Sequence, residues 1–307
     1  MKKKLANLLR RYPRASRSRD VLRKFLSTIF TASKVKDCVG VAGNRSISDE
    51  GSYITAVKEA IGNCRAFYKF KCEPRYIQIL EHVSQDQGAM YLEIIRTESP
   101  IFMDKFNEFK ENDIIGGTKT FCYPGIGDIS PSTLRYIKVA SDLRIFFGER
   151  LGDRIAEIGV GYGGQLLIMD KVCSCTQYDL FDLPPVLELA SKYLESHTLN
   201  TAYHLFTLNQ HRGDVEYDLV ISNYAFSELP SRLQLMYIKK IISKAKRGYL
   251  TMNSGKGNSA FQEDKLSLAD LKQVLPAFEV LPENPLTHAG NYVIVWGCGH
   301  QKHPRSV

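Results

Sequence analysis

The sequence has no C-x-x-C pair. Its seven cysteines, Cys38, Cys64, Cys72, Cys122, Cys173, Cys175 and Cys298, are odd in number and scattered along 307 residues. That excludes a zinc ribbon or a disulfide framework and points to reduced thiols. Cys173 and Cys175 are the one close pair. They read as alternating positions entering a strand, whose side chains face opposite ways, so no shared metal or disulfide is expected. No cluster of His and acidic residues has ligand-like spacing, and no metal is expected elsewhere. Long apolar runs are missing too. The run after Lys4 is broken at Asn7 and Arg10, so no secretory signal is expected, and nothing downstream reaches membrane-spanning length. The expected location is cytoplasmic. There is no internal repeat, and no low-complexity tract beyond the amino-terminal leader.

Acid is scarce in one place only. Residues 1–36 hold twelve Lys and Arg against the single acid Asp20, a charge of +11, so the net +8 of the chain leaves −3 for the other 271 residues. A folded body with that balance is not expected to bind nucleic acid, because such binding needs basic residues on the domain itself. The leader places Leu5, Leu8 and Leu9 at helical spacing among Lys and Arg. It reads either as a basic helix for peripheral contact with the inner membrane surface or an acidic partner, or as a solvated tail.

What the sequence does have is R-I-A-E-I-G-V-G-Y-G-G, Arg154 to Gly164. An apolar run (Ile155, Ala156, Ile158) carries the acid Glu157 and enters a turn with Gly159, Gly161, Gly163 and Gly164. This is a nucleotide-binding edge. Gly159, Gly161 and Gly164 match G-x-G-x-x-G, so a nicotinamide or flavin enzyme is one reading. Glu157 favours another, because a carboxylate two residues before the first glycine repels a pyrophosphate and attracts the ammonium and sulfonium charges of S-adenosylmethionine.

From Arg154 onward, short β-branched runs alternate with helical patterns, the mark of an α/β fold with a parallel sheet. Strands are predicted near 155–159, 175–181, 201–207, 218–224 and 248–253. Helices are predicted to start near Gly164, Pro184 and Pro230, with another over 267–275 opened by Ser267 and Asp270. Phe278 to Leu281 and Tyr292 to Trp296 should close the chain as an antiparallel hairpin. Upstream, residues 50–112 read as helical, including S-Y-I-T-A-V-K-E-A-I-G-N and Y-I-Q-I-L-E-H-V. Asn112 to Ser132 reads as irregular, and Thr133 to Phe147 as a helix. The expected organisation is a basic leader 1–36, a mainly helical lid or substrate domain 37–150, and a cofactor domain 151–307.

Three further stretches carry chemistry. In C-T-Q-Y-D-L-F-D-L-P, Asp182 lies just past the second strand, where an acid accepts hydrogen bonds from ribose hydroxyls; capping the helix at Pro184 is its alternative, and Asp179 is the alternative ribose ligand. In Y-D-L-V-I-S-N-Y-A-F-S-E-L-P, Glu228 follows the fourth strand and is a candidate general base, with first-turn stabilisation of the next helix as its alternative. His288, between the last two strands, is the second candidate base, or a turn histidine facing water. In I-S-P-S-T-L-R-Y, Ser130, Thr133 and Arg135 read as a lid over the cofactor, Arg135 reaching a cofactor carboxylate or an acidic acceptor group, or as a helix cap at Ser130.

The segments E-I-G-V-G-Y-G-G, F-D-L-P, D-L-V-I-S-N-Y-A-F-S-E-L and R-G-Y-L-T-M-N resemble the class I S-adenosylmethionine-dependent methyltransferases, particularly a bacterial sugar O-methyltransferase family. I-L-E-H-V-S and I-S-P-S-T-L-R-Y-I-K-V-A-S-D-L extend the resemblance over about residues 50–297. It implies a Rossmann-like sheet, parallel with a carboxyl-terminal antiparallel hairpin, behind a helical domain. It also implies methyl transfer to a hydroxyl of a nucleotide sugar or glycan. F-D-L-P is similar to plant-type O-methyltransferases, which implies a ribose contact at Asp182. The same register implies an adenine contact at Asn209, and Asn223 joins the cofactor set with Glu157, Gly159, Gly161 and Gly163. Ser227 stands where the plant-type pattern has its basic histidine, so the base must differ. Other hydroxyl acceptors, and a non-catalytic scaffold in glycan assembly, are the alternatives. The oligomeric state, including a homo-oligomer, is left open.

Deleting residues 1–36 is expected to leave cofactor binding intact, because the resemblance begins near residue 50. If the leader is a membrane contact, the deletion abolishes co-sedimentation with anionic vesicles. Full-length protein should also release toward 0.5 M salt, where screening cuts the reach of each charge to about 4 Å. Equal pelleting of both forms would make the leader a solvated tail.

Overall fold

In the computed structural model, which describes residues 51–254 and 264–298, the apolar spacing of the first helical stretch does what it predicts. Helix α1 (Gly51–Gly62) buries Tyr53, Ala56, Val57 and Ala60 along one face. The leader 1–36 and Cys38 lie outside the described residues. Helix α2 (Gln85–Glu98) starts at a capping box in which Ser84 and Gln87 satisfy each other's backbone N–H groups.

Y-I-Q-I-L-E-H-V is not a second long helix. Only Pro74–Ile77 is helical, started by the Glu73 carboxylate on the N–H groups of Arg75 and Tyr76. Ile79, Leu80 and Val83 then pack against the core from a turn, so their apolar spacing reflects burial without helical continuation. The stretch predicted as irregular holds a small antiparallel hairpin, β1 (Phe121–Tyr123) with β2 (Gly127–Ile129), paired Phe121 to Ile129. Three-residue strands are too short to show a period. Helix α3 (Pro131–Phe147) follows, with Ser130 as its cap and Pro131 in the first turn.

The next elements are β3 (Arg154–Ile158), α4 (Gly164–Val172), β4 (Gln177–Phe181), α5 (Pro184–Leu194), β5 (Ala202–Phe206), β6 (Tyr217–Asn223), α6 (Ser231–Lys240), β7 (Ala245–Met252), α7 (Leu268–Val274), β8 (Glu279–Pro282) and β9 (Tyr292–Trp296). A one-turn helix, Ala225–Glu228, separates β6 from α6, so Pro230 stands at the cap position of α6 and not inside it. Ser267 and Asp270 form the expected capping box of α7.

Seven strands of the described residues form one sheet in the order β5-β4-β3-β6-β7-β9-β8. β5, β4, β3, β6 and β7 run parallel, while β9 is antiparallel to both β7 and β8. This is the expected Rossmann-like sheet, parallel with an antiparallel closing hairpin. Gly248 is small for a packing reason: a Cβ there would lie 1.9 Å from the ring of Trp296, its cross-strand partner. Along β3 the faces alternate. Ile155 joins the core under α1–α5, and Ala156 and Ile158 join the core on the opposite side with Tyr237, Ile238 and Leu271.

The expected boundary between residues 147 and 153 is a joint inside one compact unit that contains all the described residues. The helical segment and the sheet share a core running from Tyr53 and Val57 to Tyr249 and Val295. Buried Lys71 strengthens the join. Its ammonium lies 4.0 Å from the Tyr162 ring centre and 4.7 Å from that of Tyr193, and it donates to the Asn112 carbonyl. Cys173 and Cys175 also differ from expectation. Both precede β4, Cys173 closing α4, so no strand alternation separates them, and both are free thiols.

The chain leaves β3 outward through β4 and β5, then crosses back to β6 and β7. That reversal opens a crevice at the carboxyl ends of β3 and β6, where open α/β sheets take ligands.

Candidate active site

A cavity of about 680 Å³ occupies that crevice. Its floor is the glycine turn after β3. Gly159 and Gly161 take φ values of 77° and 54°, left-handed backbone that favours glycine. A Cβ on Gly159 would sit 1.9 Å from that of Ala225, so the turn also presses against the chain leaving β6. Gly163 does not line the cavity. With φ 87° it caps α4 against Leu194, and its expected cofactor contact becomes a backbone role.

Asp182 lines the cavity and holds the turn in place. Its Oδ2 accepts from the N–H groups of Val160 (2.7 Å) and Gly161 (3.3 Å), and its Oδ1 from Leu183 N–H (2.7 Å). Leu183 is the cap residue of α5, so Asp182 is not the helix cap. Asp179 is removed from the ribose role. It is buried within the sheet, accepting from Tyr217 Oη at 2.8 Å and Gln177 Nε2 at 2.6 Å, away from the cavity.

Glu157 is buried at the cavity wall, and its Oε2 accepts from Tyr178 Oη at 2.9 Å. Burial pushes its carboxyl up to about 8, helped by the charge of Asp182 and opposed by the Tyr178 bond. Asn223, at the end of β6, donates to Gln165 Oε1 at 3.3 Å, while its own Oδ1 is a buried acceptor without a partner. Asn209 lies at the exposed rim beyond β5.

Glu228, on the one-turn helix, lines the cavity. Burial raises its carboxyl above the usual range, and Lys265 opposes this. His288 lines the cavity from the β8–β9 connection and is exposed. Arg135 lines it from α3, but Ser130 and Thr133 do not. Ser130 Oγ accepts from Thr133 N–H (3.1 Å), and Asp113 accepts from Ser130 N–H (2.7 Å) and Thr133 Oγ (2.6 Å). The lid reading of those two gives way to the cap.

Among the cavity residues that sequence reasoning missed, Tyr224, His82 and Tyr91 stand out. Tyr224 has φ 68° and ψ −36°, strained for a side-chain-bearing residue, and its hydroxyl bonds Glu283. Glu283 in turn accepts from Thr287 N–H at 2.9 Å, which ties the β8–β9 connection over the cavity. His82 lines the cavity while remaining exposed at its outer side; its ring hydrogen-bonds the Ile77 carbonyl, and partial desolvation and then Arg135 lower its pKa. Tyr91 completes the set. The motif I-L-E-H-V-S contains His82, but nothing in its spacing singles the histidine out.

Among the described residues, no group of three or more His, Cys, Asp or Glu side chains is placed to hold a metal ion, and no helix is long and apolar enough to cross a membrane.

No protein-family model matches the chain, and no curated protein does. Among solved structures, it is similar to the methyltransferase domain of a bacterial Hen1, with 15% identity over 52% of this chain and 96% of that one and a TM-score of 0.39. A S-adenosylmethionine-dependent methyltransferase from Clostridium acetobutylicum is 9% identical over 52% and 88%, with a TM-score of 0.40. CalS10, an amino pentose methyltransferase from Micromonospora echinaspora in calicheamicin biosynthesis, solved with S-adenosylmethionine bound, is 13% identical over 52% and 89%, with a TM-score of 0.39.

Proposed function

We propose that the chain is an S-adenosylmethionine-dependent O-methyltransferase acting on a hydroxyl of a sugar, as a nucleotide sugar or in a glycan. The observation that carries the cofactor is the buried Glu157 carboxyl beside a glycine turn clasped by Asp182, at the switch between β3 and β6. The residues fit the group in three respects. Glu157 offers a carboxylate to an ammonium. Asn223 Oδ1 is an unpartnered buried acceptor. Gly159 leaves the floor without a side chain, in space that a Cβ could not share with Ala225. S-adenosylmethionine, when bound, supplies a sulfonium-activated methyl group. The sugar acceptor rests on the sequence resemblance.

The protein's part is to hold and deprotonate. Transfer needs the acceptor oxygen about 3 to 3.5 Å from the methyl carbon and in line with its bond to sulfur. Tyr224, fixed through Glu283 and Thr287, walls the acceptor side. Glu228 is the base: its carboxyl lines the cavity, and burial, opposed by Lys265, raises it above the ordinary carboxylate range. His288 and His82 face the same cavity and are assigned to orienting the acceptor.

Incubation with S-adenosylmethionine and a panel of nucleotide sugars and oligosaccharides, read by mass spectrometry, should give a product heavier by one methylene unit. Glu228→Gln should cut turnover roughly 100- to 10,000-fold with cofactor affinity kept. A loss confined to His82→Gln or His288→Gln would move the base there. Absent turnover in wild type across the panel would remove the sugar acceptor.

A further inference from the structure

Lys265 lies just before Ser267, the cap of α7, and its place is set by bonds on both sides of it. Before it, Asp264 turns at φ 59°; its carbonyl accepts from Ser231 N–H at 2.6 Å and its Oδ1 from Ser231 Oγ at 2.7 Å. After it, Leu266 N–H donates to Gln234 Oε1 at 2.8 Å, and Gln234 Nε2 donates to the Phe226 carbonyl at 3.0 Å. Gln234 is 1% exposed, so water does not compete for this bridge. The residues flanking Lys265 are thereby tied to the start of α6 and, through Gln234, to the one-turn helix that ends on Glu228.

The Nζ of Lys265 is itself buried, and Lys265 is not among the residues lining the cavity, whereas Glu228 is. Among the described residues, Lys265 is the charged group that acts on Glu228, and Glu228 the one that acts on Lys265. The other elements packed on the one-turn helix meet it with uncharged groups. Ser222 Oγ of β6 accepts from Phe226 N–H at 3.1 Å, α6 contributes Gln234, and Asn253 beyond β7 donates its N–H to Ser227 Oγ at 2.9 Å. Elsewhere in the cavity lining the titratable groups are Glu157, Asp182, Arg135, His82, His288 and tyrosines.

A carboxyl desolvated at a cavity wall favours its neutral form, and a neutral carboxyl cannot take up a proton. An ammonium behind it acts the other way. Burial raises Glu228 and Lys265 opposes the rise, while burial pushes the Lys265 ammonium down to about 8 against the support of Glu228.

We infer that Lys265 is the positioning residue of the base: from behind the cavity wall, its ammonium keeps the Glu228 carboxylate ionised and able to take the proton of the acceptor hydroxyl. This rests on the reading of Glu228 as the base. Lys265 acts through Glu228 and does not touch the acceptor.

Carbon-13 NMR of protein labelled at the glutamate δ-carbon tests the pair without an acceptor, the Glu228 resonance being identified by its loss in Glu228→Gln. In Lys265→Met its titration midpoint should move up by about one pH unit or more, and Lys265→Arg should restore it. With an acceptor that wild type methylates, the acid limb of the kcat/KM profile should move up by the same amount and turnover should recover above it. A lysine that only supported the fold would lower turnover alike at every pH. An unmoved midpoint, with Glu228→Gln still inactive, overturns the inference and leaves the base reading intact. A midpoint that moves while the acid limb stays in place overturns the base reading, and the positioning role with it. If wild type methylates nothing in the panel, the sugar reading fails and the titration still decides the pair. Should Lys265→Met fail to fold, Glu228→Gln carries the test, because the coupling is reciprocal. The Lys265 ammonium, followed at its ε-carbon and identified with Lys265→Arg, must then titrate lower than in wild type, and an equal midpoint overturns the inference.

Discussion

Asp182→Ala should raise the Kd of S-adenosylhomocysteine by roughly 10- to 100-fold, measured by calorimetry. The side chain has two tasks on one carboxylate: it lines the cavity where ribose hydroxyls would donate, and it accepts from the N–H groups of Val160, Gly161 and Leu183. Hydrogen bonds to a charged acceptor contribute about 1.5–3 kcal/mol, and each 1.4 kcal/mol is tenfold in affinity. The same change strands the three backbone donors, so the Tm should fall as well. Asp182→Asn separates the tasks, since its amide oxygen still accepts but the charge is gone. A Kd within twofold of wild type for Asp182→Ala would remove this residue from the cofactor site.

Binding of S-adenosylhomocysteine should tighten as pH rises from 6 toward 8, by up to about tenfold per unit, and level off above. Burial lifts the Glu157 carboxyl to about 8, so without ligand it is mostly protonated at neutral pH. An ammonium is attracted to the ionised form alone, and binding therefore releases a proton. The opposite sign holds for folding. The native state retains this proton between the ordinary carboxyl pKa of about 4.3 and the raised value near 8, so Glu157 contributes stability below that window and loses it as pH rises through 8. Calorimetry in buffers of differing ionisation enthalpy should register up to one proton released per ligand near pH 7. Glu157→Gln should bind more weakly and lose the pH dependence. An affinity flat between pH 6 and 8 in wild type would mean that Glu157 does not meet the ligand's cation.

The chain's local pattern determined the sheet. Every strand expected from Arg154 onward is present within three residues at either end, because each is a short apolar run bounded by turn residues, and the closing hairpin follows from two such runs at the end. Glu157, Gly159, Gly161 and Asp182 were legible for the same reason: a glycine turn and the acids at strand ends are features of adjacent residues, and a parallel sheet brings strand ends to one edge.

Contacts across the chain decided the rest. Gly163 and Thr133 carry motif-like spacing, yet Leu194 and Asp113 claim them for packing and capping. Asp179 and Asp182 are three residues apart in one motif, and only the alternation of β4 and the partner Tyr217 turn the first into the sheet and leave the second at the cavity. His82, Tyr91 and Arg135 come from three separate segments whose meeting depends on how the helical part packs on the sheet. The charge of Arg135 was plain in the sequence. Which groups surround it, Tyr91, Tyr136, Tyr224 and Glu81 among them, is a property of the buried surroundings, which local spacing does not encode.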